Sequence, residues 1–176
     1  SKGLVRIILA GDIPGKNRYG PIKKDQPVLA EDHVRYIGDP IAAVFAESEN
    51  DLENILKKIK VKYKILPELT DYQEALKGRP PFLHGDSNII AVMESGRGNV
   101  KTGFNKADII LEDEFDTQYV EHGYLEPESC IAQLNSDGSL TVFVASQGPP
   151  MDIEEIAPVI DFPTEKIQIT GMPMGG

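Results

Sequence analysis

A chain of 176 residues is long enough for one large domain or two small ones, and long enough to bury a core. With 40% apolar and 26% charged residues, its composition excludes wholesale disorder, and no apolar run approaches the ~18 residues that a membrane-spanning helix needs. The net charge of −10 is uneven: residues 1–70 carry +2 and residues 71–176 carry −12, an acidic surface that repels phosphate backbones and argues against a nucleic-acid partner. The single cysteine, Cys130, rules out an intrachain disulfide framework. Together with the lack of a signal-peptide pattern at the start, it points to a reducing, cytoplasmic setting.

In chain order, residues 4–9 read as a strand. Residues 12–30 hold three prolines and two glycines and read as loop. Gly38-Asp39-Pro40 is turn chemistry before an apolar run at 41–46, a buried strand. Ser48 stands three residues before Asp51, an approximate capping box with Asp in place of Glu. Leu52, Ile55, Leu56 and Ile59 then fall on one face of a helix, and Lys57, Lys58 and Lys60 suit the negative end of its dipole. Val61, Tyr63 and Ile65 alternate with lysines, which predicts a half-exposed strand.

Residues 66–107 are poor in regular patterns, apart from a helical turn at 72–76, and mark a boundary or connection. Beyond 107 strands dominate. Ile109, Leu111, Phe115, Thr117 and Tyr119 share a face of an extended run. Residues 129–134 and 140–145 flank the polar stretch Asn135-Ser136-Asp137-Gly138-Ser139, the pattern of a hairpin. Ile153, Ile156, Ala157 and Ile160 suggest a helix starting near Pro150, although Pro158 conflicts with it. A last strand covers 166–170. The fold class is α+β.

Several residues are candidates for chemistry. The glycine-rich stretch from Gly11 to Asn17 lacks the Gly-Lys-Ser/Thr ending of a phosphate loop, and Asp12 opposes a phosphate. His122, Glu126 and Glu128 would share a strand face and could supply zinc ligands, but Gly123 and Pro127 break the alignment. Alternation places Cys130 inward, as a small hydrophobe. Gln147 ends an apolar strand just before Gly148-Pro149-Pro150, where a neutral amide can face a cleft and both donate and accept hydrogen bonds. A turn-capping role is the plainer reading of the same residue. Met174-Gly175-Gly176 offers backbone that permits close approach of a ligand.

Taken in order, the segments from Gly11 to Gly15, from Gln26 to Val44, from Val61 to Pro67, then Glu121-His122-Gly123-Tyr124-Leu125-Glu126-Pro127-Glu128, Ser146-Gln147 and Met174-Gly175-Gly176 resemble the molybdenum-binding subunit of the xanthine dehydrogenase and aldehyde oxidase family. The resemblance implies an α/β hammerhead domain over residues 1–70, a connection over 71–106, and the start of a mixed α+β molybdopterin-binding domain over 107–176. It also implies an oxidoreductase. Members hydroxylate a carbon of a purine, another N-heterocycle or an aldehyde with oxygen taken from water. Their electrons leave through [2Fe–2S] clusters and FAD on partner subunits or domains. The cofactor is molybdopterin or its dinucleotide with bound molybdenum.

Residue by residue, Gln147 matches the family glutamine whose amide bonds an oxygen ligand of the metal. Gly175 and Gly176 match the opening of a Gly-Gly-Phe-Gly-Gly motif that lies against the cofactor through its backbone. The catalytic glutamate base is expected beyond residue 176, so no catalytic residue and no protein ligand to the metal is assigned here. On this reading the chain is a piece of a longer protein and is inactive alone, with apolar surface at the cut that favours self-association. Two other readings compete: a complete, non-catalytic α+β binding or assembly module, and a metal hydrolase built on His122, Glu126 and Glu128.

Overall fold

The computed structural model describes residues 2–125 and 129–174. The chain divides into two compact units, one made of residues 1–62 with 122–176, the other of residues 63–121. The first unit holds two small sheets. Strands β1 (Leu4–Ile8) and β2 (Ala43–Ala46) pair antiparallel, with an irregularity between Leu4 and Arg6. Helix α1 (Glu49–Leu56) packs on both and buries Ile55.

The start of α1 follows its sequence. Ser48 is extended and its hydroxyl accepts the Asp51 N–H at 3.2 Å. The same hydroxyl donates to Asp51 Oδ2 at 2.6 Å, because the short Asp carboxylate reaches the side chain of the cap. Ser48→Ala removes both bonds and is expected to lower stability by ~1 kcal/mol, read as a lower denaturant midpoint; an unchanged midpoint would show that the cap contributes nothing. The helix ends at Leu56, earlier than its apolar pattern predicts, and Leu56 and Ile59 are left exposed.

The second half of this unit supplies a three-stranded sheet in the order β3–β4–β5. Strands β3 (Cys130–Leu134) and β4 (Leu140–Val144) form the expected hairpin. In its turn the Asn135 amide donates to Ser139 Oγ and to Thr141 Oγ1, both at 2.9 Å. Strand β5 (Ile167–Gly171) lies parallel to β4, pairing Leu140 with Ile167 and Val144 with Gly171. A parallel pair needs a crossover. The connection is a twelve-residue helix, which with the two helices of the second unit is numbered α4 (Pro149–Ile160), and it packs on β5. Val142, Ala157 and Ile167 are the buried residues between sheet and helix.

The second unit contains α2 (Tyr72–Leu76), capped by Asp71, whose carboxylate accepts the Gln73 N–H at 2.7 Å. It also contains α3 (Val100–Lys106), capped by Asn99, which accepts the Thr102 N–H at 2.9 Å. Among the described residues of 63–121 none is buried. No helix of the described residues is long and apolar enough to cross a membrane.

Four expectations are corrected. Residues 61–65 and 109–119 alternate like strands yet are irregular and exposed, with Leu111 at 91% and Tyr119 at 102%. A strand requires a neighbour to complete its ladder, and no described residue supplies one. Helix α3 stands where only a connection is expected. Cys130 is exposed rather than inward, as is every residue of β3, because α4 packs on β5 at the opposite edge of the sheet. Finally, α4 runs through Pro158 to Ile160. Proline cannot donate to the Glu154 carbonyl, but here it falls in the last turn. The Pro158 and Val159 carbonyls accept N–H groups from elsewhere in the chain, and Asp161 closes the helix in the left-handed region at φ 52°.

Candidate functional site

The candidate site lies beyond the C-terminal ends of the parallel strands β4 and β5. Such ends form a natural crevice, because the chain leaves one strand for the crossover helix while its neighbour ends alongside. The pairing runs one residue past the ladder, with the Met172 N–H donating to the Val144 carbonyl at 3.0 Å. The two chain segments therefore leave the sheet side by side. Gln147 and Met174 each stand three residues beyond the last paired residue of their strand.

The turn that carries Gln147 is short and stiff. The Ser146 hydroxyl accepts the Gly148 N–H at 3.1 Å, and the Gly148 carbonyl accepts the Asp152 N–H at 3.1 Å, the first bond of α4. Pro149 and Pro150 open the helix, where their fixed φ suits the first turn and their missing N–H groups leave no helical bond unmade. Gln147 itself is exposed, and no hydrogen bond from a described residue occupies its amide. Among the described residues nothing covers the side chain. Gly175 and Gly176, the other residues expected to hold a cofactor, lie outside the described residues, as do Glu126 and Glu128. Among the described residues no group of three His, Cys, Asp or Glu side chains is arranged to hold a metal. His122 is exposed, and His33 pairs with Asp32 at 3.0 Å on the surface.

Helix α4 is also the place where the two halves of the first unit meet. The Glu155 carboxylate accepts the Gly20 N–H at 2.9 Å and pairs with Lys24 Nζ. That lysine, with help from the Gly20 N–H, holds the Glu155 carboxyl below the usual carboxylate range. Nearby, Arg18 forms a two-point bridge to Glu31, at 2.7 and 2.9 Å. Bonds first from Arg18 and then from Asn17 lower the Glu31 pKa to about 2. The Asn17 side chain also ties both the N–H and the carbonyl of Leu29, at 2.9 and 2.8 Å. Lys16, Asn17, Arg18, Lys24, Glu31 and Pro158 line an open depression. Arg18 and Lys24 are already matched there by carboxylates, which makes this a joint rather than an anion site. Sequence reading missed the joint altogether. Its only trace in the sequence is the density of Gly and Lys in a stretch that reads as loop.

Residues 1–67 match the family model for the aldehyde oxidase and xanthine dehydrogenase a/b hammerhead domain, and residues 83–176 match that for the molybdopterin cofactor-binding domain. The chain is 38% identical over 175 residues to a probable xanthine dehydrogenase subunit of Bacillus subtilis, an overlap of 99% of this chain and 24% of that protein. It is 37% identical over 164 residues to the nicotinate dehydrogenase large molybdopterin subunit of Eubacterium barkeri, covering 93% and 39%. The aldehyde oxidoreductase of Desulfovibrio gigas matches in structure with a TM-score of 0.79 at 25% identity, over 99% of this chain and 20% of that one. The chain thus spans 24% and 39% of the length of the two curated relatives.

Proposed function

The chain belongs to the molybdopterin-binding part of the aldehyde oxidase and xanthine dehydrogenase family, and from that premise we propose that the whole protein is a molybdenum hydroxylase acting on an N-heterocycle. The two relatives at 37–38% identity carry names that specify xanthine and nicotinate, both N-heterocycles, which supports that class over an aldehyde. Within it, residues 1–67 would belong to the hammerhead domain and residues 83–176 to the cofactor-binding domain.

The observation that carries the reading is the amide of Gln147, uncommitted among the described residues and placed beside the ends of two parallel strands. The residues present fit the group. An oxygen bound to a metal is an acceptor, and a neutral amide donates to it without adding charge. A carboxylate at the same position would repel an anionic ligand. Gln147 would hold an oxygen of the cofactor, and Gly175 and Gly176 would lie against it through their backbone. When bound, the cofactor supplies the two-electron oxidation of the substrate carbon. This chain's own part is to orient the amide: the Ser146–Gly148 bond and the two prolines fix the turn before any ligand arrives, so little ordering cost remains. No residue of this chain is proposed as the base that takes the proton of the water-derived nucleophile, and FAD and [2Fe–2S] groups on partner subunits or domains would carry the electrons away.

Elemental and pterin analysis of the intact protein tests the reading, together with hydroxylation of xanthine and nicotinate in isotopically labelled water. Bound molybdenum and label in the product are expected for the intact protein, and neither for residues 1–176 expressed alone. An intact protein that folds without molybdenum, or a 1–176 piece that turns over substrate, would refute the corresponding half.

A further inference from the structure

One loop near the start of the chain grips α4 at two levels. At the first, Glu155 takes the Gly20 N–H at 2.9 Å through Oε2 and Lys24 Nζ through Oε1. At the second, nearly a turn further on, the Pro158 carbonyl accepts the Lys16 N–H at 2.7 Å and the Val159 carbonyl accepts the Gly15 N–H at 3.0 Å. The Glu155 side chain is only 21% exposed, and Gly20 is buried. Gly20 has φ +144°, and a Cβ there would lie 2.0 Å from the Lys23 carbonyl oxygen, so the loop makes this turn only with glycine.

These contacts have a mechanical consequence for Gln147. An α-helix is stiff, rising ~1.5 Å per residue. Held at 155 and again at 158–159, and packed on β5, α4 can neither slide along its axis nor turn about it. Its first residue, Pro149, is then fixed, and Gln147 stands two residues before it. Pro149 and Pro150 remove the φ freedom that would otherwise absorb a shift of the helix. We propose that Glu155 is a positioning residue for Gln147, and that the loop 15–24 is a brace by which the first part of the chain sets the strand-end site in the second. The inference rests on the reading of Gln147 as a cofactor-facing residue.

The test uses the intact, cofactor-loaded protein. Glu155→Ala removes both bonds at the first level. Glu155→Gln keeps an acceptor for Gly20 and loses only the charge that pairs with Lys24. Expected for Glu155→Ala are a fall of about tenfold in kcat with KM within about twofold, since small misplacements at a reacting centre are costly. Molybdenum content should be unchanged, hydrogen exchange should quicken at amides 145–148 and 151–152, and the paramagnetic signal of the half-reduced metal should shift. Glu155→Gln is expected to restore most of each. If exchange quickens only at 15–24 and 153–160 while kcat and the signal match the unsubstituted protein, Glu155 is merely structural and the proposal fails. Should Glu155→Ala not accumulate, Glu155→Asp keeps the charge but is one methylene too short to hold the Gly20 N–H, and it is read in the same way. An unsubstituted protein without molybdenum overturns the cofactor reading instead, and exchange at 145–152 then decides the brace by itself.

Discussion

Gly15→Ala should destabilise the intact protein by on the order of 3 kcal/mol, whereas Gly11→Ala, four residues earlier, should be nearly neutral. The contrast isolates a steric cause. A Cβ at Gly15 would lie 2.0 Å from the Pro158 carbonyl oxygen, 2.9 Å from that of Val159 and 3.0 Å from the Asp161 nitrogen. All three are backbone atoms at the end of α4, so no side chain can swing away. Relief requires the loop to withdraw, which costs ~1–3 kcal/mol for overpacking and roughly 1 kcal/mol for each of the two hydrogen bonds that close the helix there. A Cβ at Gly11 meets nothing within 4 Å. Thermal unfolding, with hydrogen exchange over residues 151–160, checks the pair. Equal loss in both variants would mean that glycine matters in this loop for its flexibility rather than for its size.

Gln147→Ala should lower kcat/KM by about 10²-fold in the intact protein, the usual cost of deleting one preorganised donor at a reacting centre, with the unfolding midpoint within ~0.5 kcal/mol of the unsubstituted protein because the side chain is exposed. Gln147→Glu should lose at least as much, since it replaces a donor with a negative charge facing an oxygen ligand. Steady-state kinetics beside a molybdenum assay separate loss of chemistry from loss of cofactor. Full activity in Gln147→Ala would leave the turn-capping role as the better account of this residue.

The two predictions probe different kinds of legibility. Gln147 stood out in the linear chain as a neutral amide between an apolar strand and Gly-Pro-Pro, a place where turn capping is the plainer local reading, and the family resemblance singled it out. Ser48 with Asp51, the polar turn at 135–139 and the apolar spacing at 153–160 were visible because each acts over a few residues, so the partner stands close by in the sequence. The helix α3 was hidden by Gly103 and by a neighbourhood rich in glycine and asparagine, although its Asn99 cap is a local signal. The exposure of 109–119 was hidden because alternation records which face a strand would bury, not whether a neighbour is there to pair with it.

By itself, the order of residues determined the α+β class, the hairpin, the capped start of α1, the family and the strand-end glutamine, all of which depend on spacing within about ten residues or on motifs read as strings. The tertiary structure alone decided that β5 runs parallel to β4, that α4 continues through Pro158, and that Gly15, Lys16, Gly20 and Lys24 close on Pro158, Val159 and Glu155. Those contacts join residues more than a hundred positions apart. Apart from the Glu155 carboxylate with Lys24 and Gly20, they are made by backbone groups, which every sequence presents, so only the folded chain reveals which of them meet.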